Sequence, residues 1–167
     1  MKRYGRLVAL LLPTAGMAAT PPPPPDLGPL VARLVDDTTK DSVSQARAFR
    51  LLMGLGRPAV PYVIAHLGDS RKLAEQSIWV QAPTGRSDTQ YHPWYVHDGL
   101  LAVLKELTGY SRAPLTGHLL PSQRAKSTRK WVAYCVDRYP AQAAVCQSAL
   151  QNSDIGHGAG PQVADAR

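Results

Sequence analysis

No stretch of this 167-residue chain approaches the roughly 20 consecutive apolar residues that a membrane-spanning helix needs, and the run at 7–12 (LVALLL) is far too short. Glutamate is nearly missing, with Glu75 and Glu106 the only two. A glycosidase working with two carboxylates would therefore have to recruit an aspartate, and nothing in the spacing selects one. The only cysteines are Cys135 and Cys146, which excludes a CxxC redox motif and the paired Cys/His spacings of a zinc site. There is no HExxH helix, no GxSxG nucleophile elbow, and no glycine-rich phosphate loop leading into a helix. Clustered Lys and Arg are scarce too. The formal charge of +7 falls to +4 once Lys2, Arg3 and Arg6 are set apart with the first 19 residues. That balance argues against a dedicated nucleic-acid binder.

What is present is the composition of a folded protein, 44% hydrophobic. Residues 1–6 form a basic region, 7–12 a short apolar core, and Gly16, Ala18 and Ala19 supply the small residues of a cleavage site. Residues 1–19 are read as a signal peptide cleaved near Ala18 or Ala19, giving a periplasmic or secreted protein. Removing them from 167 residues leaves 148, enough for one domain. No cysteine stands directly after the cleavage site, which disfavours a lipoprotein. A proline-rich linker spans 20–26. In an oxidising compartment Cys135 and Cys146 are expected to pair, clipping two helices across the turn at Pro140.

From Leu27 the pattern is helical. Leu27, Leu30, Val31, Leu34 and Val35 share one face. Ser42 and Gln45 read as a capping box, followed by Ala48, Leu51, Leu52 and Leu55 as a buried stripe. Gly54 and Gly56 end that helix. Pro58 and Pro61 suit a first helical turn, with Val60, Val63, Ile64 and Leu67 as the next apolar face and Gly68 as its stop. Further helices are expected at 96–108, ended by Gly109, at 122–138 and at 140–151. Residues 152–167 read as a disordered tail.

Residues 55–69 (LGRPAVPYVIAHLGD) resemble the turn and second helix of a HEAT-like repeat, and the match extends over 42–69. Residues 98–110, with Trp131 beyond them, resemble the ends of small bacterial HEAT-like proteins. The resemblance implies helix pairs that stack into a scaffold and bind other proteins. A solenoid needs about three stacked units, and one clean repeat is visible. The expected fold is therefore all-α: a short HEAT-like helical-hairpin array over 27–151, with an irregular or small β-hairpin insertion at about 70–95.

That insertion holds Trp79, Tyr91, Trp94 and Tyr95, with Arg86 in the same loop. Aromatic residues with arginine are the anchors that protein interfaces use, so these five are the candidate binding residues. The alternative is that the large rings fold inward and plug the gap between helix pairs. His92, His97 and Asp98 are the nearest approach to a metal cluster, but His97 and Asp98 diverge by about 100° on a helix. Asp98 is better placed to favour the positive end of the helix dipole. Arg124, Lys126, Arg129 and Lys130 give one helix a basic stretch, either a solvated face or a dock for something anionic.

The expected function is noncatalytic binding of a protein partner in the cell envelope, as a periplasmic inhibitor, immunity or envelope accessory protein, with no cofactor and no metal. Two alternatives stand beside it: an envelope hydrolase using a His/Asp site, and a module that binds the cell wall or an anionic surface.

Overall fold

The computed structural model describes residues 26–81, 88–110 and 117–155, of which 152–155 by backbone alone. The expected signal peptide, residues 20–25 of the linker, Arg86 and the expected tail beyond 155 lie outside the described residues.

Leucine and valine at helical spacing form α1 (Gly28–Asp37), which buries Val31, Leu34 and Val35. Leu30, expected on the same face, is instead 38% exposed. The capping-box reading of α2 (Ser42–Gly54) needs correction. Its N-cap is Asp41, whose carboxylate accepts from the Ser44 backbone N–H at 2.8 Å and from the Ser44 hydroxyl at 2.7 Å. This leaves Gln45 free to turn inward. The stripe is corrected as well: Leu51 is 49% exposed, and Phe49 is buried beside Ala48 and Leu52.

Gly56, at φ +70°, makes the sharp turn expected of it, a backbone conformation that other residues adopt with strain. A 3₁₀ turn over Arg57–Ala59 leads into α3 (Val60–Ala65), with proline in the first turn of each. Val60, Val63, Ile64 and Leu67 are buried as their spacing requires, and α3 ends at Ala65, ahead of Gly68. A two-stranded antiparallel hairpin follows, β1 (Ile78–Val80) and β2 (Thr89–Tyr91). The remaining helices are α4 (Val96–Thr108), α5 (Pro121–Arg138) and α6 (Ala143–Ile155). α4 stops at a left-handed Gly109, and a 3₁₀ turn over Pro140–Gln142 leads into α6. The described residues are thus mainly helical with one small sheet.

Short and almost wholly buried, α3 is the hub, packed against α1, α4, α5 and α6. α2 lies on α1 and α4 and carries β1. The approach of α2 to α4 is close: a Cβ on Gly99 would lie 2.6 Å from Phe49 Cζ. Cys135 and Cys146 form the expected disulfide, fully buried between α5 and α6. Its loop is short enough that the chain-entropy contribution is about 2–3 kcal/mol.

Candidate functional site

The hairpin insertion is strapped to the helices by backbone and by one glutamine. Val96 N–H donates to the Arg71 carbonyl at 2.9 Å and His97 N–H to the Asp69 carbonyl at 3.1 Å, so residues 69–71 satisfy the first turn of α4. Leu73 N–H reaches the Trp94 carbonyl at 3.1 Å, and Trp94 N–H the Gly117 carbonyl at 2.7 Å. From α2, the Gln45 side chain donates to the carbonyls of Glu75 (2.7 Å) and Ser77 (3.1 Å) and accepts from Glu75 N–H (2.8 Å). Fully buried, it uses both ends of its amide on the loop that leads into β1.

Strand alternation then separates the candidate aromatics. Ile78 faces Tyr91 across the hairpin, and both turn into the core; Trp79 faces Gln90, and both turn outward. Tyr91 donates its hydroxyl to Glu106 Oε1 at 2.6 Å, and Lys105 Nζ lies 5.1 Å from its ring centre. Burial, reinforced by the Glu106 bond, pushes this hydroxyl above its ordinary range. Tyr91 thus stands in the core, as in the alternative in which the rings fold inward. Trp79 is 59% exposed and borders a groove of about 250 Å³ whose walls include Phe49, Arg50 and Glu75. Trp94 is 43% exposed and packs on His118, ring centres 5.6 Å apart. Tyr95 is half-buried under the Arg124 guanidinium, 4.5 Å from its ring centre. Of the four candidates among the described residues, the structure therefore turns Trp79 and Trp94 outward, in different surroundings.

His97 and Asp98 form a second centre, at the junction of α3, α4 and α5. The His97 Nδ1–H donates to the Leu67 carbonyl, which also accepts from the Thr128 hydroxyl at 3.4 Å. Burial, with some help from the Arg124 charge, lowers the His97 pKa to about 4. The neutral ring consequently carries a lone pair at Nε2, which meets no donor among the described residues. Asp98 Oδ1 accepts from Leu119 N–H at 3.4 Å, while Oδ2 has no partner among them. Burial raises its pKa to about 6, against the opposing pull of that N–H and of Arg124. Arg124, one of the four basic residues of α5, is turned toward this junction and donates to the Leu119 carbonyl at 2.7 Å. His92 is exposed, and among the described residues no three His, Cys, Asp or Glu side chains converge to hold a metal.

A third place was not singled out from the sequence. Tyr110, at the end of α4, stacks on Tyr134 of α5 with ring centres 5.0 Å apart, and Trp131 meets both edge-on at 5.4 Å. These rings border a groove of about 490 Å³ that Ser127, Lys130 and Arg138 also line. The signal was there: 127, 131, 134 and 138 fall on one face at helical spacing. Tyr110 joins that face only through the fold. No known family, curated protein or solved structure matches the chain.

Proposed function

We propose that the chain is an exported, noncatalytic protein-binding module, a short HEAT-like array whose contact element is the hairpin between α3 and α4. One observation carries this reading: Trp79 stands 59% exposed on the outer face of a strapped hairpin, beside a groove. A tryptophan held in that way loses little conformational freedom on binding, which is what an interface anchor requires. Arg50 and Glu75 beside it offer both charges for orienting a partner. The Gly56 turn and the prolines after it support the HEAT-like reading. The buried disulfide suits an oxidising compartment such as the periplasm. An inhibitor, immunity or envelope accessory role fits a small rigid domain of this kind.

A hydrolase built on His92, His97 and Asp98 draws less support. His97 is fully buried and Asp98 only 5% exposed, so neither meets a substrate from solvent as they stand. The binding reading is tested by capture of periplasmic proteins on tagged protein, with Trp79→Ala beside it as a control matched in circular dichroism and thermal midpoint. A stoichiometric partner held by the parent and released by Trp79→Ala is the expected result. Absence of any partner, or a partner indifferent to Trp79→Ala, refutes the assignment to the hairpin.

A further inference from the structure

We propose that the groove along α5 binds a carboxylate-bearing sugar of the hexuronate type, with its ring on the tyrosine wall and its carboxylate on the cations of the rim. This goes beyond the hairpin reading and stands on a different surface.

The rings give the first argument. Tyr110 and Tyr134 lie 5.0 Å apart at an interplanar angle of 29°, and Trp131 closes on both edge-first. A flat aromatic guest sandwiched between two rings needs them roughly 7 Å apart, twice the contact distance between carbons. These rings are too close for that: each covers one face of the other, so a guest meets an outer ring face, a wall rather than a slot. The C–H face of a pyranose needs only one wall.

Charge is the second argument. Lys130 and Arg138 are exposed cations lining the groove, and Asp137, the one acidic residue among its described lining, is paired with Arg138 at 3.3 Å. Among the described residues no carboxylate pairs with Lys130, and the exposed Lys126 and Arg129 of the same helix add to the field. The complement is an anion.

The third is Ser127. This lining residue is 7% exposed, and its hydroxyl has no partner among the described residues. A buried hydroxyl left without a partner is unfavourable, and a ligand rich in hydroxyls supplies both donors and acceptors. The volume of about 490 Å³ lies in the range of small-molecule pockets and suits one or two sugar rings.

The chain has three tryptophans, so Trp79→Phe with Trp94→Phe leaves Trp131 as the sole indole, a fluorescence reporter within the groove. Titration of that protein with digalacturonate is expected to saturate, whereas cellobiose and acetate at the same concentrations leave the signal unchanged. Lys130→Gln, at an exposed position, is expected to weaken digalacturonate by about tenfold and to flatten the salt dependence. Tyr134→Ala is expected to weaken it at least as much, and Lys130→Gln decides the matter should that variant fail to fold. Co-sedimentation with insoluble polygalacturonate identifies the source: polymer and dimer binding together point to an envelope polysaccharide, dimer alone to a free acidic sugar. The proposal is overturned if digalacturonate gives no saturable response, if cellobiose or acetate matches it, or if Lys130→Gln titrates like its parent.

Discussion

Asp98 and His97 titrate in opposite senses, and replacing either one should expose the other. Asp98 holds its proton up to about pH 6 in the fold, against 3.8 for an ordinary aspartate. Below pH 3.8 it is protonated whether folded or unfolded and contributes nothing. As pH rises from 3.8 to about 6, the unfolded chain loses that proton while the fold keeps it, so stability falls. The full difference corresponds to about 3 kcal/mol, or about 2 kcal/mol after allowance for screening. His97 runs the other way. Its pKa drops from 6.5 to about 4, so its contribution is complete above 6.5 and is lost, by about 3 kcal/mol, as pH falls toward 4. Between pH 4 and 6 the two slopes oppose, and the parent should be nearly flat with respect to this pair. Asp98→Asn removes the falling slope, so its stability should climb by about 2–3 kcal/mol from pH 4 to 6.5 relative to the parent. It should also exceed the parent at pH 7.5, because the replacement amide can still accept from Leu119 N–H without ionising. His97→Gln should show the mirror image, falling by about 2–3 kcal/mol over the same interval. Urea unfolding followed by circular dichroism at each pH, with the disulfide intact, measures all three profiles. An Asp98→Asn profile parallel to that of the parent would falsify the claim that Asp98 is a buried carboxyl short of partners.

Gly99→Ala should destabilise by about 1–3 kcal/mol, since its Cβ would lie 2.6 Å from Phe49 Cζ; Phe49→Leu in the same chain should recover part of the loss in thermal melts, and no recovery means the clash is elsewhere. Cys135→Ala with Cys146→Ala should lower unfolding free energy by about 2–3 kcal/mol and make stability indifferent to reductant, both read by urea titration. Gln45→Ala removes three hydrogen bonds from the loop before β1. Hydrogen exchange at residues 73–80 should accelerate well beyond that of α5 and α6, and a uniform acceleration would argue that Gln45 supports the whole core instead.

What was legible in the sequence was what local chemistry decides. α4 runs from Val96 to Thr108 because an apolar period meets a glycine able to take the left-handed cap. The Gly56 turn and the proline-led helix after it follow from the same kind of reasoning, and the cysteine pair follows from count and spacing. Polar side chains with a distant partner were not legible. Gln45 sits where a capping box predicts it, yet it bonds 30 residues away to Glu75, a contact that only the docking of the hairpin on α2 creates. Arg124 reads as part of a basic face, but Tyr95 and the Leu119 carbonyl hold it toward the junction. The α5 groove was hidden for the same reason, because Tyr110 reaches it from beyond the Gly109 cap of α4.

The split among the candidate aromatics has a simpler cause. A strand alternates its faces with a period of two, so which ring becomes core depends on register. With Ile78 opposite Tyr91, the hairpin must turn Trp79 outward. A slip of β1 by one residue would put Trp79 opposite Tyr91 on the core face and turn Ile78 outward, moving the strand that Gln45 clamps while Tyr91 keeps its bond to Glu106. That bond and the two-ended Gln45 clamp on Glu75 and Ser77 act on opposite sides of the hairpin, and both are satisfied in one register. The residues that fix the register are therefore not the residue presented. Trp79 can be replaced without disturbing the strap, which makes it the informative site for substitution, while Tyr91 and Gln45 report on the scaffold.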